Sequence, residues 1–254
     1  YSLAKMDPFI SNKTENLVAA IDLGSNSFKL MIAKIISHNG ILHIEELDTI
    51  KESIKIASGL DDKGFLSEKY VKKTYETLIR FGDRLRRFDK KSVTAVGTYT
   101  LRSIKNKNFI DNAQKLLGFD IEIISGTDEA EFIYQGVMHV SPELSGKQLI
   151  IDIGGGSTEI IIGDRKKIKD SLSLSMGCVT FAESFFDGTK VTKKTFDNAV
   201  VHAKKILEKN LNKNFNSWKN VIGTSGTCRA IADIILLNNL DTTTNSPIDE
   251  IGGF

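Results

Sequence analysis

Two stretches of this chain carry the same chemistry-bearing pattern. Asp22-Leu23-Gly24-Ser25-Asn26-Ser27 and Asp152-Ile153-Gly154-Gly155-Gly156-Ser157 each place a carboxylate just before a glycine turn and a hydroxyl just after it. Backbone N–H groups in such a turn approach a phosphate with no Cβ in the way. Ser25, Ser27, Ser157 and Thr158 add hydroxyl donors, and Asn26 adds an amide. Asp152 and Glu159 stand on either side of the second turn, where two carboxylates meet one metal ion. Hard oxygen ligands of this kind suit Mg2+, and Asp22 is placed to contact the same ion directly or through water. A single Asp-x-Gly turn is equally a plain hairpin with local side-chain bonds; finding it twice argues for two related lobes facing a phosphate chain and a metal.

The copies are not equivalent. Lys29 occupies the position of Glu159, and Asn26 replaces a glycine. The second copy therefore reads as the metal side and the first as the anion side. A dinucleotide fingerprint fails on context, because Ile160-Ile161-Ile162 continues as a strand where that motif opens a helix. A phosphate-binding P-loop fails too, since no Lys-Ser/Thr follows the glycines.

Further candidates lie outside the repeat. Arg102 ends the run Val96-Gly97-Thr98-Tyr99-Thr100-Leu101 and can fork onto a phosphate, or can be an ordinary surface arginine. Gly223-Thr224-Ser225-Gly226-Thr227 has the form of a strand–turn–helix anion site, with Gly226 and Thr227 opening the helix; ordinary capping is the alternative. Asp128 and Glu129 follow Ser125-Gly126-Thr127 at a helix start, where acids complement the helix dipole. Adjacent helical residues diverge by about 100°, so only one of them faces inward. Glu129 precedes Phe132 and Ile133 on an apolar stripe, which selects Glu129.

The elements that must hold these residues alternate between strands and helices. Leu17 to Asp22 reads as a buried central strand, Phe28 to Ile36 and Ile41 to Leu47 as its neighbours across a His38-Asn39-Gly40 turn, and Lys51 to Ala57 as an extension of that meander. A helix spans Ser67 to about Phe88, then a strand Ser92 to Val96, a helix Asn108 to Leu117 and a short strand Ile121 to Ile124. Thr127 is the expected N-cap of a helix from Asp128 to His139. The second lobe begins near Lys147 with the repeated hairpin. Helices follow at Gly177 to Phe186 and Lys193 to Leu211, then a strand ending at Gly223 and a helix toward Leu237; the tail from Asp241 is polar and loose. The fold class is α/β with mixed sheets flanked by helices. The lobes are expected at 6–146 and 147–254.

Bulk properties exclude several classes. With 34 basic and 32 acidic residues the net charge is +2, which argues against a protein built to coat nucleic acid. The basic run Arg84, Arg86, Arg87, Lys90, Lys91 is a solvated helix end or a guide for a polyanion. Cys178 and Cys228 form no paired metal motif, so a reduced cytoplasmic compartment is expected. No apolar run approaches a bilayer span, and no signal-peptide core stands at the N-terminus, where Tyr1 to Lys5 precede Met6.

Taken in order, AAIDLGSNSF, VGTYTLR, ISGTDEAEFIYQGV, LIIDIGGGSTE, SMGCVTFAESFF and GTSGT resemble the exopolyphosphatase/guanosine pentaphosphate phosphohydrolase (Ppx/GppA) family from about Val18 to Ile235. The resemblance implies two lobes of duplicated actin-like, ribonuclease H-like fold with the active site in the cleft between them. It implies Mg2+-dependent hydrolysis of terminal phosphoanhydride bonds. Inorganic polyphosphate is the leading substrate and guanosine pentaphosphate the alternative; a sugar-kinase-like transferase and a non-catalytic phosphate sensor are more distant readings. By motif match Glu129 is the catalytic carboxylate, Asp152 and Glu159 are metal-linked, and Asn26, Arg102, Gly155, Gly156 and Ser157 contact phosphate. A monovalent cation such as K+ is a further candidate ion, and a homodimer a candidate assembly; no sequence-specific nucleic acid and no integral membrane association are expected. The family often has Glu-Glu-Ala where this chain has Asp128-Glu129-Ala130, and the second acid is kept. Family members continue past the last residues here, so the second lobe is expected to be incomplete.

Overall fold

The apolar run ahead of the first glycine turn is strand β1 (Asn16–Leu23) of the computed structural model, which describes residues 16–38, 41–165, 167–186 and 190–240. β1 pairs antiparallel with β2 (Ser27–His38), and β2 with β3 (Ile41–Ser53). On the other side of β1 lie β4 (Val93–Gly97) and β5 (Ile121–Ile123), both parallel, giving the order β3-β2-β1-β4-β5. The second sheet repeats this plan. β6 (Lys147–Ile153), β7 (Thr158–Asp164) and β8 (Lys167–Leu174) form the antiparallel meander, and β9 (Asn220–Thr224) joins β6 in parallel, for the order β8-β7-β6-β9. The repeated turn is thus the visible part of a repeated sheet, and the expected α/β architecture of two like lobes is the one observed.

Three local expectations change. The sequence reading runs from the second hairpin straight to a helix at Gly177, whereas β8 occupies the gap. Its signal is the alternation of Lys167, Lys169, Ser171 and Ser173 with Ile168, Leu172 and Leu174, the period of a strand covered on one face. Residues Tyr99–Ser103 form the short helix α2, so Arg102 stands on a helical turn. β1 is central in its sheet, yet only its odd residues Ala19, Ile21 and Leu23 are buried; Ala20 and Asp22 keep accessible surface. The Asn39-Gly40 turn, Tyr1 to Lys5 and the polar tail from Asp241 lie outside the described residues.

Helices close each sheet. The helix α1 (Glu68–Arg84), which stops short of the expected Phe88, and α3 (Phe109–Leu117) cover one face of the first sheet. Leu78, Phe81, Phe109, Ala113 and Leu117 pack there on Ile21, Leu23, Phe28 and Leu30. The helices approach closely at Gly82, where a Cβ would come within 2.5 Å of the Leu117 carbonyl oxygen.

Helix α4 (Gly126–Val140) decides the site geometry. It leaves β5 of the first sheet and packs on the second. Ala130, Tyr134 and Val137, spaced on one helical face, bury against Ile150 and Ile161. Its N-cap is Ser125, two residues before the expected Thr127. Ser125 Oγ accepts from the Asp128 N–H at 3.1 Å, and the Ser125 N–H donates to Asp128 Oδ2 at 3.0 Å, a reciprocal capping box. On the opposite face of the second sheet, Leu149, Ile160, Ile162 and Leu174 pack with Phe215 and with Ile206 and Leu207 of α6 (Lys193–Asn210). The remaining helices are α5 (Cys178–Phe186) and α7 (Ser225–Leu237). Among the described residues, no helix is long and apolar enough to cross a membrane.

The seat of α4 has a specific test. A Cβ at Gly163 on β7 would fall 2.2 Å from the Tyr134 ring, whose hydroxyl donates to the Arg165 carbonyl at 2.9 Å. Overpacking of this kind costs about 1–3 kcal/mol. Gly163→Ala is expected to lower the thermal midpoint by about 2–4 °C per kcal/mol. In a Tyr134→Ala background the same substitution should be nearly neutral, which a double-mutant cycle in urea measures.

Candidate active site

The two glycine turns are built the same way from behind. In the first, the Asn26 carbonyl accepts from the Ile54 N–H (3.1 Å) and the Lys55 N–H (2.7 Å), and the Ser25 carbonyl from the Ala57 N–H (3.2 Å). In the second, the Gly154 carbonyl accepts from the Cys178 N–H (2.9 Å), and the Gly155 carbonyl from Val179 (2.9 Å) and Thr180 (3.2 Å). The latter donors are the free N–H groups of the first turn of α5, which any helix must satisfy outside itself. With the carbonyls fixed backward, the N–H groups of Gly155 and Gly156 take no protein acceptor among the described residues.

The turns also touch each other. A Cβ on Gly155 would come within 2.9 Å of the Asn26 backbone N. One on Gly156 would come within 2.5 Å of the Tyr99 ring and 2.7 Å of Ser25 Oγ. Close approach across the lobes therefore requires both glycines. Ser25 is buried, and its Oγ accepts from Thr100 Oγ1 at 2.7 Å.

Strand register sets a row of side chains across each sheet beside its turn. In the second sheet, Ser173 on β8 lies opposite Glu159 on β7, Glu159 opposite Asp152 on β6, and Asp152 opposite Thr224 on β9. The corresponding row in the first sheet is Lys51, Lys29, Asp22 and Val96. One row is anionic with hydroxyls at its ends, and the other carries two adjacent lysines beside one acid. Ser173 Oγ donates to Glu159 Oε1 at 2.7 Å, and Thr224 Oγ1 to Asp152 Oδ2 at 2.6 Å.

Glu129 reaches this row from the first turn of α4. Arg102 Nη1 donates to the Ile124 carbonyl at 2.6 Å and lies 3.4 Å from Glu129 Oε2, with its guanidinium 5.8 Å from the centre of the Tyr99 ring. Asp128, by contrast, is committed to the capping box with Ser125, which holds its carboxyl below the usual range. The structure thus separates the two adjacent acids as helical geometry predicts.

Crowded acids dominate the electrostatics. Burial, then the neighbouring Glu159, pushes Glu129 up to about 8 against the pull of Arg102. Burial raises Glu159 to about 6 even though Ser173 and Ser157 hydroxyls stabilise its charge, with Asp152 adding repulsion. Asp152 is likewise raised by burial, opposed by Thr224 and Ser225. Asp22 keeps a surface open to solvent but is hemmed in by protein atoms; desolvation and then Asp152 raise it to about 6, while Lys29 and Lys51 pull the other way. Four carboxylates from both lobes therefore feel one another around one guanidinium. Among the described residues, no three His, Cys, Asp or Glu side chains are gathered tightly enough to cage a metal ion by themselves.

Of the residues singled out from sequence, Asp22, Ser25, Asn26, Arg102, Glu129, Asp152, Gly154, Gly155, Gly156, Ser157 and Glu159 come together. Ser27 begins β2 opposite Ser53. Thr158 does not offer its hydroxyl to the cleft: it is buried and donates to the Met176 carbonyl. Gly226 and Thr227 lie in the first turn of α7, but the residues that tie this loop to the site are their predecessors. Thr224 binds Asp152, and Ser225 Oγ donates to the Ile153 carbonyl at 2.7 Å. The basic run is spread and partly paired, with Arg84 on Asp48 and Arg86 on Asp83 at 2.6 Å each. Sequence reasoning missed Ser173 and named Thr224, Tyr99 and Thr100 only within their motifs, with no role of their own; β8's alternation marks the strand that carries Ser173, but not its partner.

Known proteins are similar to this chain in sequence and in fold. A putative exopolyphosphatase from Haemophilus influenzae is 41% identical over 223 residues, covering 87% of this chain and 68% of the relative. The guanosine-5'-triphosphate,3'-diphosphate pyrophosphatase of Vibrio atlanticus is 40% identical over 227 residues, 89% of this chain and 45% of the relative. The chain thus spans about two thirds of the first and under half of the second. Among solved structures, an exopolyphosphatase from Cytophaga hutchinsonii superposes with a TM-score of 0.68 at 29% identity, covering 90% of this chain and 72% of its own. The model of the Ppx/GppA phosphatase family matches residues 31–250, and with the duplicated sheets and their facing glycine turns this places the chain in the Ppx/GppA phosphatase family.

Proposed function

We propose that this chain hydrolyses terminal phosphoric anhydride bonds and releases orthophosphate from inorganic polyphosphate. Guanosine pentaphosphate is the second substrate reading, favoured by the names of the Vibrio relatives. The observation that carries the proposal is Glu129, a carboxyl raised to about 8 that stands 3.4 Å from Arg102 and feels the charges of Glu159 and Asp22. A general base is most effective when its pKa lies near the working pH. In its ionised form Glu129 in this reading accepts the proton of the attacking water. Arg102, held by the Ile124 carbonyl and only loosely engaged with Glu129, turns its remaining donors to the phosphoryl oxygens. The Gly155 and Gly156 N–H groups and the Ser25 and Ser157 hydroxyls orient the terminal phosphate. Lys29, Lys51 and Asn26 face the next phosphates of a polyanion.

A divalent cation fits the donor set. Asp22, Asp152 and Glu159 are all raised by burial, and Asp152 raises the other two further, so a cation among them would relieve both effects. They would hold it only in part, which matches the habit of Mg2+ of keeping waters and taking substrate phosphate oxygens as further ligands. When bound, the ion supplies charge neutralisation at the transferring phosphoryl group. A cytoplasmic, homodimeric protein belongs to the same reading.

Mg2+-dependent phosphate release from long-chain polyphosphate and from guanosine pentaphosphate, measured side by side on this chain, ranks the two substrates. Glu129→Gln is expected to reduce kcat on the preferred substrate by about 10^2–10^4-fold with little change in KM. Full phosphate release by that variant would remove Glu129 from the chemistry.

A second expectation concerns stability without metal. The folded protein holds a proton on Glu129 up to about 8, whereas the free side chain loses it near 4.5. Between these values the native state binds more protons than the unfolded chain, so stability falls as pH rises through the window. In Mg2+-free buffer the thermal midpoint should decline from pH 5 toward pH 8, and Glu129→Gln should flatten part of that decline. An identical slope in both proteins would contradict the buried, proton-holding Glu129.

A further inference from the structure

Asp152 and Glu159 face each other on adjacent antiparallel strands, an arrangement that is repulsive on its own. Each is met from its outer side by a hydroxyl on the next strand of the same row. Ser173 Oγ donates to Glu159 Oε1 at 2.7 Å from β8, and Thr224 Oγ1 donates to Asp152 Oδ2 at 2.6 Å from β9. The row thus reads hydroxyl, carboxylate, carboxylate, hydroxyl across four strands. The equivalent row in the first sheet has Lys51 and Val96 at its ends, so the flanking hydroxyls are a feature of the second lobe and not of the shared backbone.

Packing fixes the Ser173 donor further. A Cβ on Gly126, the first residue of α4, would come within 2.4 Å of Ser173 Cβ and 2.5 Å of its Oγ. The start of the helix that carries Glu129 therefore rests on the side chain that holds Glu159, which is 1% exposed and has little freedom of its own.

We infer that Ser173 and Thr224 are positioning residues that hold Glu159 and Asp152 as an oriented pair for one shared divalent cation. The inference rests on the Mg2+ reading above. Each hydroxyl engages one oxygen on the outer side of its carboxylate and fixes the orientation that presents the pair inward. Hydrogen-bond partners of ligating carboxylates act on affinity in this way, and losing one typically lowers metal affinity about 10–100-fold.

The test is calorimetric binding of Mg2+ alone, without substrate, to the whole chain. Ser173→Ala and Thr224→Val are each expected to weaken Mg2+ binding by about tenfold or more, with urea midpoints close to the parent. Thr224→Ser, which keeps the hydroxyl, should restore the affinity lost in Thr224→Val. Ser171→Ala, on the same strand as Ser173, should leave it unchanged. Gly126→Ala, which crowds Ser173 without touching its hydroxyl chemically, should weaken binding in the same direction as Ser173→Ala. Parental Mg2+ affinity in Ser173→Ala and Thr224→Val, with binding lost in Glu159→Gln, overturns the inference and leaves the Mg2+ reading intact. Parental affinity in Glu159→Gln and Asp152→Asn, or no Mg2+ binding by any form, overturns both.

Discussion

Four carboxylates, Asp22, Glu129, Asp152 and Glu159, share a cleft with one guanidinium, and the rest of the structure is arranged to keep them there. Each lies where burial disfavours its charge, and three are further raised by a neighbouring acid. Left to themselves such groups separate or take up protons. They stay because none is carried on a free loop. Asp22, Asp152 and Glu159 are strand residues fixed by register, and Glu129 is on a helix whose Ala130, Tyr134 and Val137 are buried against Ile150 and Ile161. Apolar packing of α4 on the second sheet is thus what holds Glu129 against the repulsion of Glu159. The strain is local and electrostatic, and a cation or a phosphate chain with its counterions relieves it without any change of fold.

Duplication gives the two lobes one backbone and opposite electrostatics. The same strand order and the same register position carry Lys51, Lys29 and Asp22 in one sheet and Ser173, Glu159 and Asp152 in the other. Because side chains alternate strictly along a strand, a residue's place in such a row decides which face it serves. Changing two positions of the row turns an acidic platform suited to a cation into a basic one suited to an anion. A phosphate chain bound with a metal ion, as proposed above, would use both side by side, in the pseudo-symmetric pairing of the turns.

The turns, the duplicated sheet and the choice of Glu129 over Asp128 were legible because each is a local signal. Glycine spacing, strand composition and the angle between adjacent helical residues all act over a few positions. Ser125 also had its signal, since a serine followed three residues later by an acid is a capping pair; Thr127, with Ala130 three residues on, offers no such pair. What stayed hidden depends on pairing. Ser173 reaches Glu159 across 14 residues and Thr224 reaches Asp152 across 72, through strand neighbours that no spacing rule reveals. Thr158 failed as a phosphate donor for a similar reason: its hydroxyl is taken by Met176, on the segment that returns past the turn.

The backing of the turns bears on how a phosphate enters. Each turn has its carbonyls fixed by its own lobe: Ile54, Lys55 and Ala57 in the first, and the start of α5 in the second. Neither can flex without breaking two or more backbone bonds, so local yielding is the costlier route. The turns meet at Gly155 and Asn26 with no spare width, so a phosphate between them would need one lobe to move against the other. α5 also packs on the 56–59 segment that backs the first turn. The two supports therefore touch each other as well as their own turns, and any opening of the cleft must slide or part that contact. With the turns this rigid, phosphate binding between them would have to be coupled to lobe position, a hinge or shear movement in the usual sense. That movement in turn sets the distance between the lysine row of one lobe and the acidic row of the other.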